Sequence, residues 1–278
     1  MNDMTNNLGN ASSNDTSTMQ ASTIDVDGHP VGILSGGDGA PIVLFHSLLA
    51  DASSFDRITP MLLDTHRVIV LHLPGFGNSE RVDGSLEQVA DRVAGVIRAL
   101  RLALPPTFLG NGYGGFIALM TAIRHPGIAG RLVLADCGAA FSEPGRVAFR
   151  GMSAGAAAKG LAGISDVAMR RLFAPDFQAA NPQLIEECRA RFIAVDMQTF
   201  HNTCAALAGL DVRDKLAGVT VPVLVLVGEH DEATPPPMSQ ELAAGLPNAT
   251  LQILEGCAHV PQLQAPEQFM KAIEHFIA

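Results

Sequence analysis

Short, unbroken apolar runs recur along this chain, and they constrain its fold more than any other feature. Pro41 to His46, Arg67 to Leu73, Thr107 to Gly110, Arg131 to Asp136, Val221 to Gly228 and Thr250 to Leu254 are each the length of a strand, and Val31 to Ser35 is a weaker candidate of the same kind. They lack the polar alternation of a half-solvated strand, so both faces of the sheet they form must be covered. Helical stretches at Leu86 to Leu100, Phe116 to Arg124, Met238 to Gly245 and Pro266 to Ile277 separate them. Strand and helix in alternation predict an α/β fold, a mostly parallel central sheet with helices on both faces.

From about Ala139 to Asp211 the strand signal stops, and Ala-, Arg- and Met-rich helical periodicity broken by Pro and Gly takes its place. Four or so short helices are predicted there, a helical cap over residues 139 to 211 set into a core of residues 22 to 138 and 212 to 278. Lys and Arg balance Asp and Glu in that block, seven of each, so the net charge of −10 lies outside it. A cap less negative than its core would tolerate an anionic small-molecule substrate between them, although helix surfaces commonly mix charges.

That acidity, with only 18 Lys and Arg, speaks against a nucleic-acid partner, because phosphate binding rests on clustered cations. Residues 1 to 21, rich in Asn, Ser, Thr, Asp and Met, have neither the basic nor the apolar region of a signal peptide and are expected to be a disordered tail. No run approaches the ~20 apolar residues of a membrane span. Cys137, Cys188, Cys204 and Cys257 are widely spaced and form no metal-binding pattern, which predicts reduced, packed thiols and a cytoplasmic protein. Oligomeric state leaves no mark on the sequence.

The segment Thr107 to Leu119 reads as strand, glycine-crowded turn and helix. This is the setting of the G-x-S-x-G nucleophile elbow, except that Gly112 stands at the nucleophile position. Asp231 lies just past one buried strand and His259 just past the next. At the carboxyl edge of a parallel sheet both can converge on position 112. A histidine exchanges protons near neutrality, and an aspartate on its other nitrogen fixes the tautomer, so the pair reads as a catalytic dyad. The backbone N–H groups of Leu48, after the strand at Pro41, and of Tyr113 are placed to form an oxyanion hole.

Rival readings of neighbouring residues are weaker. His46 suits a role in ordering its loop, Ser79 lacks a strained elbow, and nothing marks Cys137 as a lowered-pKa thiol. Asp136 is an alternative acid, passed over because Asp231 sits in a glycine turn. Gly110 to Gly115 also satisfies G-x-G-x-x-G, with Asp136 at the spacing of a ribose-binding acid. A dinucleotide there would leave Asp231 and His259 without a role.

On these residues the chain resembles the α/β-hydrolase superfamily over residues 22 to 278. His46-Ser47-Leu48, Leu109 to Gly115, Thr199 to Asp211 and Val227 to Pro236 look most like 3-oxoadipate enol-lactonases and their relatives. The resemblance implies a hydrolase without cofactor or metal that acts on a small lactone or ester, such as an acidic product of aromatic-ring degradation. His72 and Gly112 depart from that pattern. Three readings of Gly112 stay open: an esterase or lactonase inactivated by replacement of its serine, a natural enzyme whose His259–Asp231 pair activates water or serves a lyase or isomerase reaction, and a ligand-binding module without chemistry.

Overall fold

The computed structural model describes residues 18 to 278, so most of the predicted tail, residues 1 to 17, lies outside the described residues. In chain order the elements are β1 (Gln20–Val26), β2 (His29–Gly36), β3 (Ala40–Phe45), α1 (Thr59–Leu63), β4 (His66–Leu71), α2 (Leu86–Ala99), β5 (Thr107–Asn111), α3 (Tyr113–Arg124) and β6 (Arg131–Ala135). Then come α4 (Glu143–Lys159), α5 (Ser165–Leu172), α6 (Pro175–Ala180), α7 (Pro182–Ile193) and α8 (Met197–Ala208). The chain closes with β7 (Val223–Gly228), α9 (Pro236–Gly245), β8 (Ala249–Leu254), α10 (Pro261–Gln264) and α11 (Pro266–Ile277).

One eight-stranded sheet runs in the order β1-β2-β4-β3-β5-β6-β7-β8. From β4 to β8 every neighbour is parallel, whereas β1 and β2 form an antiparallel hairpin and β2 pairs antiparallel with β4. Gln20 and Ala21 already pair with Ser35 and Leu34, which corrects the expected tail boundary at residue 21. The hairpin turns at Asp27-Gly28, both at positive φ (55° and 86°), the pair favoured where a two-residue turn needs left-handed backbone.

Alternate residues of the central strands serve opposite layers. Val43 and Phe45 of β3 pack with Val93 of α2 and Ile117 of α3, while Ile42 and Leu44 pack with Leu62 of α1 and Phe269 of α11. In α2 the stripe Leu86, Val89, Ala90, Val93, Val96 and Ile97 recurs at helical spacing and is buried throughout. Ser85 and Gln88 form its capping box. Helix α3 lies directly on β3: a Cβ on Gly114 would stand 2.0 Å from the Phe45 carbonyl oxygen, so only glycine permits that approach.

Five helices, not four, lie between β6 and β7. Ala140 bridges Asp211 at their base, and the Val212 N–H donates to the Ala139 carbonyl at 2.9 Å. Met152 and Ala156 of α4 and Phe200 and Cys204 of α8 belong to the same buried cluster as the α2–α3 face of the sheet. The block is therefore packed on the carboxyl edge, where the strand ends carry their loops.

Candidate active site

The turn between β5 and α3 begins at Gly112, whose φ of 54° and ψ of −120° are tolerated by glycine far better than by other residues. Its N–H donates to the Ala135 carbonyl at 2.9 Å and so ties the turn to β6. Tyr113 follows as the first residue of α3, where a helical N–H has no intrahelical acceptor. Across the same edge, Leu48 lies in the loop after β3, and its N–H has no hydrogen bond among the described residues.

Asp231 follows β7 and His259 follows β8, and the sheet order sets them beside the turn. His259 Nδ1 lies 2.9 Å from Asp231 Oδ2, with both side chains buried. The carboxylate also accepts the N–H groups of Ala233 (2.8 Å) and Thr234 (3.0 Å) on Oδ1. The Thr234 hydroxyl lies 2.7 Å from both Asp231 Oδ2 and the Asp136 carbonyl oxygen, and it donates to one of them. Burial pushes the Asp231 carboxyl up, but His259 and these hydrogen bonds outweigh it and hold the group below the usual carboxylate range. An ionised Asp231 accepts the Nδ1 proton, which leaves Nε2 of a neutral imidazole as the acceptor. A Cβ built on Gly112 would lie 2.7 Å from that Nε2 and 2.6 Å from Ser47 Oγ. Nε2 thus faces the place where a side chain at 112 would begin, and Ser47 Oγ meets it at 3.4 Å.

Asp136 is fully buried behind this pair. Burial first, and the neighbouring Asp231 charge second, push its carboxyl well above the ordinary range. It accepts the Gly228 N–H (2.8 Å) and the Asn111 side-chain amide (3.1 Å). Those engagements remove Asp136 as a ribose acceptor, and it braces the loops that hold Asp231 and His259. The same Asn111 amide donates to the His259 carbonyl (2.8 Å), joining the end of β5 to the histidine loop. Asp136, Asp231 and His259 have donor atoms close enough together to ligate a cation, but each carboxylate and Nδ1 already has a hydrogen-bond partner.

The rivals are accounted for by their contacts. His46 Nε2 accepts the Leu73 N–H at 3.2 Å, so its proton is on Nδ1, which donates to the Ser47 carbonyl at 3.0 Å. Burial lowers its pKa to about 4, and it is a neutral staple between two loops. The Ser79 hydroxyl donates to the His72 carbonyl (2.5 Å) and accepts the Gly32 N–H (2.9 Å). Cys137 is buried, and that burial pushes its thiol up, away from thiolate chemistry.

A small cavity of about 30 Å³ opens onto Nε2, lined by Ser47, Leu48, Gly112, Tyr113, Thr234 and His259 together with apolar Phe116, Phe141, Phe149, Met152 and Leu207. It holds space for one or two waters. Beside it lies a larger cleft of about 580 Å³ that shares Phe141, Phe149, Arg171 and Ala233. Arg171, on α5, borders both and has no side-chain hydrogen bond or ion pair among the described residues, and its burial lowers its pKa. Sequence reasoning singled out neither Arg171, which lies in a block without motifs, nor Ser47 and Thr234 as side chains that meet the dyad. Only the neighbourhood of Ser47 to Leu48 pointed toward it.

Residues 42–272 match the alpha/beta hydrolase family, and the chain belongs to it. It is 26% identical over 239 residues to 3-oxoadipate enol-lactonase 2 of Acinetobacter baylyi, covering 85% of this chain and 88% of that protein. It is 30% identical over 275 residues to 2-hydroxymuconate semialdehyde hydrolase of Pseudomonas putida, covering 90% and 92%. Among solved structures, an enol-lactonase from Burkholderia xenovorans LB400 superposes with a TM-score of 0.86 at 26% identity, over 92% of this chain and 99% of that one. A malate-bound thermophilic esterase from Thermogutta terrifontis does so with a TM-score of 0.82 at 25% identity, over 93% and 98%.

Proposed function

We propose that this protein hydrolyses a small carboxylic ester or lactone that carries a carboxylate, with His259 as general base and general acid and Asp231 as its orienting partner. The observation that carries the reading is the aim of His259 Nε2. It faces the spot beside Gly112, in a cavity that Leu48 and Tyr113 also line, and the Leu48 and Tyr113 amides are the oxyanion donors of this reading. A carbonyl seated there has its oxygen toward two N–H donors and its carbon toward an oxygen nucleophile that Nε2 can deprotonate. Esterase and lactonase relatives support the reaction class.

An anionic substrate is part of this reading because Arg171, with no side-chain hydrogen bond or ion pair among the described residues, brings a cation to the cavity wall. Apolar Phe141, Phe149 and Met152 limit the rest of the substrate to a compact acyl or ring group. Helices α4 to α8 act as the cap over this site, and the four buried free thiols suit a cytoplasmic location. No helix of the described residues is long and apolar enough to cross a membrane.

The test is turnover on a panel of enol-lactones, saturated lactones and p-nitrophenyl esters, with and without a free carboxylate. His259→Ala should lower kcat/KM about 10²- to 10⁴-fold, the usual yield of general acid–base catalysis. Turnover that survives this change intact would sink the reading, and tight binding of a panel member with no turnover over hours would place the site among binding modules.

A further inference from the structure

We propose that Ser47 is the nucleophile of this site, in place of the side chain that Gly112 lacks; this rests on the hydrolase reading above. Three observations meet at its hydroxyl. Ser47 Oγ is the one hydroxyl that meets His259 Nε2 among the described residues, at 3.4 Å, and it has no other hydrogen bond there. It also fills the space beside Gly112, standing 2.6 Å from where a Cβ would be, with its own Cβ at 3.1 Å. A side chain at 112 and the hydroxyl of Ser47 therefore compete for one volume. Finally, the backbone of residue 47 is pinned, because its carbonyl accepts the His46 Nδ1 proton while His46 Nε2 holds the Leu73 N–H.

That pin also sets the next peptide N–H. In a trans peptide the carbonyl of Ser47 and the N–H of Leu48 point in opposite directions, so fixing one fixes the other. An oxygen on residue 47 is thus followed by the amide of residue 48, and Tyr113, whose N–H at the start of α3 has no intrahelical acceptor, lines the same cavity. An elbow nucleophile has the same relation to the residue after it.

The chemistry closes on groups already present. Ser47 Oγ attacks the ester carbon as its proton passes to Nε2, and the carbonyl π pair moves onto oxygen, facing the Leu48 and Tyr113 amides. Collapse expels the alkoxide or enolate, which takes the proton from Nε2 and leaves acyl-Ser47. Water then adds to the acyl carbon and gives its proton to Nε2. The second collapse breaks the bond to Oγ, which recovers that proton, and the carboxylic acid departs.

A tagged alkyl fluorophosphonate tests this, since it forms a phosphorus–oxygen bond to an activated serine and releases fluoride. Peptide mass mapping should find one equivalent on Ser47. Ser47→Ala should lose that label and about 10³-fold or more of kcat/KM, and Ser47→Gly serves if the alanine variant fails to fold. The label on the unaltered protein is a readout independent of either variant. A label elsewhere, no label at Ser47, or a labelled Ser47 whose removal leaves turnover within about threefold would overturn the proposal. If Ser47→Ala turns over while His259→Ala does not, His259 delivers water directly, and only this proposal falls. If both turn over unchanged, the hydrolase reading falls with it.

Discussion

Gly112 carries two constraints at once, a backbone one and a volume one. At its φ of 54° and ψ of −120° any other residue is strained by about 1 to 3 kcal/mol. A Cβ would also press on Ser47 Oγ and His259 Nε2, although both are tips that can swing aside. Gly112→Ala should therefore lower unfolding free energy in urea by about 1 to 3 kcal/mol and displace His259, and a stability equal to the parent would contradict it. Gly112→Ser costs the same strain but returns an oxygen to the elbow. Combined with Ser47→Gly it should move fluorophosphonate labelling from residue 47 to residue 112. His46 gives a residue-scale pH dependence. The fold holds it neutral down to about pH 4, with Asp51 and His72 the charged neighbours that pull it in opposite directions, whereas an unfolded chain protonates it near 6.5. Between those values the unfolded state binds the extra proton. The stability owed to a neutral His46 is therefore present above pH 6.5 and lost as pH falls toward 4, by about 3 kcal/mol. The stability gap between the parent and His46→Asn should shrink by about that amount between pH 6.5 and pH 4 in urea melts. Parallel pH curves would refute it.

Elements differ in how openly the sequence announces them, and the reason is what covers them. Strands β3, β4, β5, β6 and β7 are buried almost throughout, so each stands out as an apolar run. β1 does not, because Gln20 to Thr23 are exposed and carry no large apolar side chain, and the mark it leaves is the Asp27-Gly28 turn at its end. The glycines from 110 to 115 were legible as a turn because α3 must touch β3 there. Asp231 and His259 were legible because a strand end points at each. Ser47 was not, since its meeting with His259 bridges 212 positions of chain and depends on how two loops fold back. Arg171 was hidden for a different reason: an arginine on a short helix looks like a solvated surface residue until the wall of a cavity forms around it. Its element-scale prediction concerns α5. Arg171→Gln should raise KM for carboxylate-bearing esters on the order of tenfold and leave neutral esters within about twofold, because a charge-assisted contact is lost only by the anion. Equal changes for both classes would assign Arg171 to holding α5 in place instead.

The helical block and the sheet share the site at the scale of the whole molecule. The His259 N–H donates to the Leu172 carbonyl at the end of α5, so the base is anchored to the block by its own backbone. Tyr113 of α3 and Thr203 of α8 line one small cavity between the two layers, and burial pushes the Tyr113 phenol up to about 12, so it stays neutral there. On the outside, Arg81 pairs with Asp196 at 3.1 Å and Asp83 accepts the Asn202 amide at 3.0 Å. These exposed contacts are each worth about 0 to 1 kcal/mol, so block and sheet are joined mainly through the buried contacts around the cavity. A ligand seated there touches Met152 of α4, Arg171 of α5, Leu207 of α8 and the loops at 47, 234 and 259 together. Saturation with a small dicarboxylate should raise the melting temperature as mass action requires. In hydrogen exchange it should slow α4, α5, α8 and the His259 amide as one group, and leave the β1–β2 hairpin at the far edge of the sheet unchanged. Protection confined to α4 and α5, with the His259 amide exchanging as before, would mean that the block closes over a ligand without engaging the base.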